Sequence, residues 1–326
     1  MILRKAYDTL GIGIFADIAP LLGAGVHAYL KIEGFNAAGS IKLKPALAMV
    51  EALETAGALL PGATLIETSS GNLGIALALI ARCKGYGFVC VTDEKMTLHN
   101  RALVRAHGGE LVVMAHSSLD DRCGHIAARM ATDPTLVWTR QFVNPVNPRV
   151  HAETTASEIL REFPRVDHLF VGVGTGGTLA GCVRAFGERS PATKIVAVDA
   201  AGSHHFAPPL RPVSRRIPGI GATRRSPFLD AAAPHDAVIV AERDAVRACA
   251  EVHAATGWLV GGSTGSVLAA ARAMMLQFRA GGTVVCIAAD MGERYLDTLY
   301  DTDWRDATFG AAKRESPEGD PILAGR

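Results

Sequence analysis

Asn36-Ala37-Ala38-Gly39-Ser40-Ile41-Lys42 is a short polar turn between a strand-like run, Val26 to Ile32, and a helix-like run, Lys42 to Ala56. A lysine at a strand-to-helix junction is held at a sheet edge, where α/β folds bind their ligands. Far downstream, Gly174-Thr175-Gly176-Gly177-Thr178 follows the apolar strand His168 to Val173 and precedes the helical stretch Leu179 to Phe186. A glycine-rich turn that opens a helix offers converging backbone N–H groups and a positive dipole end to a phosphate. An amine on a rigid turn and a phosphate cradle together point to a phosphorylated carbonyl cofactor held as a Schiff base. Pyridoxal phosphate is the natural candidate.

Outward from these two turns, strand-like and helix-like segments alternate. Ala63 to Glu67 reads as a strand and Asn72 to Lys84 as a helix closed by Gly85. Phe88 to Val91, a helix from about His99 to His107, Glu110 to Met114 and a helix over Asp121 to Ala131 follow. Val196 to Asp199 and Val284 to Ala288 read as buried strands, with helices over Arg243 to Thr256 and Thr264 to Phe278 before the second. The alternation predicts α/β layering around mainly parallel sheets. Paired prolines in Asn144-Pro145-Val146-Asn147-Pro148 hold the backbone extended and mark a boundary. The expected organisation is a smaller, mobile lobe over 46–148, binding the substrate carboxylate. Residues 1–45 and 149–305 form a larger cofactor-binding lobe, and polar 306–326 a flexible tail.

Composition narrows the function. Hydrophobic residues make up 49% of 326 residues and formal net charge is +1, so the chain is globular without a broad basic field. That argues against nucleic acid or an acidic membrane as partner and for a small-molecule substrate. Six cysteines are scattered without a C-x-x-C pair, which reads as buried apolar thiols and indicates neither zinc nor a disulfide framework. No apolar run approaches the roughly 20 residues that span a bilayer, and no signal-peptide core is evident. The cytoplasm is the expected location.

Two further turns open helices: Ser69-Ser70-Gly71-Asn72-Leu73-Gly74 and Gly261-Gly262-Ser263-Thr264-Gly265-Ser266. Each alone reads as an N-cap, but hydroxyls, amide and N–H groups there also make a carboxylate cradle. In chain order, N-x-x-G-S-x-K, S-S-G-N-x-G, Q-F-x-N-P-x-N-P-x-x-H, G-T-G-G-T, P-G-I-G and G-G-S-x-G resemble the cysteine synthase / cystathionine β-synthase family over roughly residues 8–300. These are fold type II pyridoxal-phosphate enzymes. The resemblance implies two α/β lobes with the cofactor in the cleft, and a homodimer. It implies Lys42 as the aldimine lysine and α-proton base, Gly174, Thr175, Gly176, Gly177 and Thr178 as the phosphate loop, and Asn72 at the pyridine 3′-oxygen. Ser263 would face the pyridine nitrogen, and Ser69, Ser70 and Gly71, with Gln141, would clamp the substrate α-carboxylate. His151 matches a family histidine and is read as structural.

Departures narrow the branch. Ala37 and Thr68 stand where proline is common, Leu73 where threonine is common, and arginines surround Pro218-Gly219-Ile220-Gly221. These details resemble a siderophore branch on the route to 2,3-diaminopropionate. That branch implies β-replacement through an aminoacrylate, with O-phospho-L-serine as donor and the L-glutamate amine as nucleophile. Arg224 is the leading candidate for the added anionic groups, with Arg216, Arg225 and Arg140 behind it, because a guanidinium binds phosphate and carboxylate bidentately. A sulfide-using cysteine synthase stays open as the nearest alternative, and a non-catalytic cofactor- or partner-binding protein as a distant one. A nucleotide-binding oxidoreductase suggested by Gly172-x-Gly174 lacks the full G-x-G-x-x-G pattern.

Overall fold

The computed structural model describes residues 2–23, 25–209, 213–310 and 322–323. Strands in these residues are β1 (Ile14–Asp17), β2 (His27–Ile32), β3 (Thr64–Thr68), β4 (Gly87–Thr92), β5 (Glu110–Val113), β6 (Leu136–Trp138), β7 (His168–Gly172), β8 (Lys194–Ala200), β9 (Asp236–Val240), β10 (Thr283–Ala288) and β11 (Ile322–Leu323). Two compact units contain them. One holds the chain up to Ile12 together with Phe35–Val150, the other Gly13–Gly34 and the chain from His151 onward.

The first unit has a four-stranded sheet in the order β5-β4-β3-β6, every pair parallel. Phe88 to Thr92 of β4 are all buried, as a central parallel strand covered on both faces requires. Helix Asn72–Lys84 is buried continuously from Leu73 to Ala81 and stops at Gly85, held at φ +81. Helix Leu43–Thr55 shares its core: Leu43, Ala46, Met49 and Val50 pack in one cluster with Leu73, Leu77 and Ile80. That packing draws 35–45 into this unit, where the sequence alone grouped it with the other lobe.

The second unit has a seven-stranded sheet ordered β1-β2-β10-β7-β8-β9-β11, antiparallel only at its two outer pairs. β1 and β2 belong here because β2 runs parallel to β10, His27 opposite Thr283. The chain steps from β7 outward to β8 and β9, then returns to the other side of β7 as β10. Such a reversal leaves a crevice at the carboxyl ends of the two strands, the usual ligand position in an open parallel sheet. Helix Gly262–Ala273 packs on this sheet, and helix Glu242–Thr256 packs on that helix. A Cβ on Gly265 would stand 2.1 Å from the Ala245 carbonyl oxygen and 2.5 Å from Cys249 Sγ, so that glycine serves helix packing.

Two further readings change. The prolines near 145–148 do not hold an extended linker: Val146–His151 is helical, continued by a π-helical turn Ala152–Ala156 and the helix Ser157–Glu162. Pro148 falls in the first turn, where a missing N–H costs nothing, and Asn144 Oδ1 accepts from Val146 N at 3.0 Å. Past Trp304 the chain does not become loose at once, because Asp301 caps a helix, Thr302–Phe309, by accepting from Trp304 N at 2.6 Å. The remainder of the expected tail, 311–321 and 324–326, lies outside the described residues. Among the described residues no helix is long and apolar enough to cross a membrane.

Candidate active site

In the first unit, Asn36 builds the turn that carries Lys42. Its Oδ1 accepts from Ala38 N at 3.0 Å and its Nδ2 donates to Ser40 O at 2.9 Å, while Gly39 closes the bend at φ +66. Ala37 N donates to Thr9 Oγ1 at 3.3 Å, a bond that proline could not make. Ser40 is fully buried, and its Oγ accepts from Lys42 N at 3.4 Å. Lys42 therefore begins helix Leu43–Thr55 from a fixed, half-buried position, which suits an amine that must meet one carbon reproducibly.

The Ser69 turn leaves β3 and opens helix Asn72–Lys84. Ser69 Oγ accepts from Gly71 N at 3.2 Å and Gly74 N at 3.1 Å, and Gly74 has no room for a side chain because its Cβ would stand 2.9 Å from Cys90 Sγ. Ser69 is buried and Ser70 exposed, while Gly71 and Asn72 are half-buried. Gln141 comes to this turn from the loop after β6: its Nε2 donates to Thr68 O at 2.8 Å.

The residue that joins these parts is Glu67, which the sequence reading passed over. Its fully buried carboxylate accepts four hydrogen bonds. Oε1 takes Thr68 N at 2.8 Å and Trp138 Nε1 at 3.0 Å, and Oε2 takes Thr139 Oγ1 at 2.6 Å and Gln141 N at 2.9 Å. Burial pushes its pKa up, with the four donors pulling the other way. Thr68 is held again from the side, where Arg122 Nε donates to its Oγ1 at 3.0 Å. A proline at 68 would keep the carbonyl that Gln141 uses but lose the bonds to Glu67 and Arg122. The signal for Glu67 was an acidic residue near the end of a strand with neighbours on both edges, where a charge is expected only if it is fully hydrogen-bonded.

In the second unit, the glycine loop follows β7 and opens the 13-residue helix Gly177–Arg189. A Cβ on Gly174 would stand 2.6 Å from Gly219 O, so the Pro218–Gly221 turn packs directly on the loop; Gly176 holds φ +85. A backbone this closely backed, at the N-terminus of a long helix, fits a phosphate. Ser263 is buried beside the end of β7, its Cβ 3.9 Å from where a Cβ on Gly172 would lie. Thr178 Oγ1 bonds His151 Nε2 at 3.3 Å, and His151 Nδ1 meets Thr155 Oγ1 at 3.2 Å, so the π-helical turn braces the loop through one buried imidazole.

The arginines divide. Arg224 is exposed. Arg225 is committed to structure: it donates to His205 O and Leu229 O, and pairs with Asp230 at 3.4 Å. Arg216 ties its backbone N to Glu242 Oε1 at 2.7 Å and leaves its side chain exposed. Arg140, at φ +56, lays its guanidinium over the Trp138 ring at 5.2 Å. All six cysteines are free thiols, and burial holds Cys90 and Cys249 up at about 12.

His205 also touches the loop. It accepts from Ser226 N at Nδ1, 3.3 Å, and donates from Nε2 to Gly174 O, 2.8 Å, which sets the neutral Nε2–H tautomer. Burial pulls its pKa down to about 4; the Gly174 carbonyl opposes this, and Arg215, Arg225 and His204 add to it. The unfolded chain takes up a proton at this ring near pH 6.5 and the folded one does not, so its contribution falls as pH drops from about 6.5 to 4. Asp199, pushed up to about 6 mainly by burial, titrates there with the opposite sign. Comparison with His205→Gln isolates the ring: wild type should lose about 3 kcal/mol more than the variant across that window, read from urea unfolding. Parallel pH profiles would refute it.

A fixed lysine turn, a hydroxyl-and-amide helix start and a glycine loop that opens a long helix suit a Schiff-base cofactor enzyme, and the chain is similar to known enzymes of that kind. A curated N-(2-amino-2-carboxyethyl)-L-glutamate synthase of Ralstonia nicotianae is 35% identical over 93% of this chain and 91% of its own. The crystal structure of O-ureido-L-serine synthase superposes with a TM-score of 0.86 at 32% identity, covering 93% of this chain and 96% of that one. An O-acetylserine dependent cystathionine β-synthase from Helicobacter pylori gives 0.86 at 26%, covering 91% and 98%. The description "Pyridoxal-phosphate dependent enzyme" fits residues 17–290, and with its α/β fold of the type II kind the chain belongs to that family of β-replacement enzymes.

Proposed function

We propose that the enzyme joins O-phospho-L-serine and L-glutamate, releasing phosphate and forming N-(2-amino-2-carboxyethyl)-L-glutamate, as a cytoplasmic homodimer serving siderophore and 2,3-diaminopropionate biosynthesis. The likeness to the Ralstonia synthase over almost the whole of both chains carries this reading. Bound pyridoxal phosphate supplies the electron sink for bond-breaking at the Cα and Cβ of the donor.

The chain supplies the rest. Lys42 Nζ would hold the cofactor covalently and, as a free amine, would take the donor's α-proton. N–H groups of Gly174 to Thr178 would hold the cofactor phosphate, and Asn72 and the Ser263 hydroxyl would hold its ring. Ser69, Ser70 and Gly71 bind the donor α-carboxylate, with Gln141 fixing their approach. Arg224 meets the donor phosphate, its exposed guanidinium lying three residues after the Pro218–Gly221 turn.

Holoenzyme given phosphoserine and glutamate should form the predicted adduct, identified by mass. Arg224→Ala should raise KM for phosphoserine about tenfold more than for O-acetyl-L-serine, the loss of one charge-assisted bond. Equal loss on both donors removes that role. The O-acetylserine dependent structural relative supports a second reading, O-acetyl-L-serine with a sulfur nucleophile. Cysteine formed from sulfide, with no adduct from glutamate, would establish it.

A further inference from the structure

Behind the glycine loop lies a set of bonds that no step above uses. His205 Nε2 donates to Gly174 O at 2.8 Å, and Ser226 Oγ donates to Thr175 O at 2.6 Å. Both side chains are buried, at 1% and 5% exposure. Ser226 N in turn donates to His205 Nδ1 at 3.3 Å, so the two struts are one assembly. Gly221 N also donates to Val173 O, at 2.7 Å, so three successive carbonyls, of residues 173, 174 and 175, are each held from this side.

In a trans peptide the C=O of one residue and the N–H of the next point opposite ways. Carbonyls of Gly174 and Thr175 held to the rear therefore turn the N–H groups of Thr175 and Gly176 to the front, the arrangement that makes an anion-binding concavity. Released, either carbonyl could swing forward and present a partial negative charge to a phosphate. Glycine at 176 permits the approach, since a Cβ there would stand 2.9 Å from Ser226 Oγ.

We propose that His205 and Ser226 are positioning residues for cofactor phosphate binding, acting by holding the Gly174 and Thr175 carbonyls away from it. The assignment rests on reading Gly174–Thr178 as the phosphate loop. A neutral imidazole suits the position, because its Nδ1 must accept from Ser226 N while its Nε2 donates.

The test compares pyridoxal phosphate with pyridoxal, which lacks the phosphate, for binding to the full-length apoprotein by absorbance titration. Phosphorus NMR of the bound cofactor adds a direct readout. His205→Ala and Ser226→Ala should each lose about tenfold affinity for pyridoxal phosphate, none for pyridoxal, and shift the phosphorus resonance toward the free value. His205→Gln, whose amide nitrogen can reach the Nε2 position, should regain most of the loss. Variants that keep the wild-type preference for the phosphorylated compound, or lose both compounds equally, overturn the proposal while the loop reading stands. A wild type that itself shows no preference overturns both.

Discussion

Lys42→Ala is expected to fold normally and to turn over at least about 10³-fold more slowly, because on the proposed reading it removes both the covalent tether and a positioned base, which alone contributes about 10²–10⁴. Folding should survive for a local reason. Lys42 has helical φ and ψ of −70° and −14° before helix Leu43–Thr55, a conformation alanine adopts readily. The bonds that build the turn come from the Asn36 side chain and from backbone groups of Asn36, Gly39 and Ser40, which alanine at 42 leaves in place. Borohydride reduction of wild-type holoprotein followed by peptide mapping should place the label on the peptide that contains Lys42. A label on Lys44, or full turnover by the alanine variant, would sink the assignment.

Glu67→Ala is expected to cost about 4 kcal/mol of stability, taking the low end of about 1–3 kcal/mol for each of four donors left without an acceptor. Two of those donors are backbone N–H groups of Thr68 and Gln141, which cannot rotate to find water. Glu67→Gln should cost clearly less. Its carbonyl can still take Thr68 N and Trp138 Nε1, and its amide can donate to Thr139 Oγ1, so one opposed N–H pair remains, at Gln141. That residual fault falls on the Gln141 loop, so the glutamine variant should raise KM for the amino-acid donor while barely moving kcat. Urea unfolding of both variants decides the stability claim. A glutamine variant as unstable as the alanine one would show that cavity size, and not donor satisfaction, sets the cost.

Long periodic segments were legible in the sequence. Asn72–Lys84 has the ends expected from its apolar run and its closing Gly85, and β10 stands within one residue of the run Val284 to Ala288. β1, β6 and β9 were not seen, because strands of three to five residues hardly show a period of two. Pro145 and Pro148 misled because proline forbids a helix interior but not a helix start. At the candidate site, each turn picked out by its glycines and hydroxyls does sit at a helix start, at Lys42, Gly71, Gly176 and Gly261. What stayed hidden was the support. Glu67, His205 and Ser226 act on backbone atoms far away in sequence, and no local pattern encodes such a partner.

Thr68 and Ala37 show how far a site can drift from its relatives' usual residues without being free to drift back. Each offers a backbone N–H, to Glu67 and to Thr9, that the ring of a proline would delete. Proline at 68 would strand part of a buried carboxylate and take from Arg122 one of its two hydroxyl acceptors, leaving Ser117. Proline at either position would fit only where those partners had changed with it, so 37 and 68 cannot be altered independently of Thr9 and Glu67.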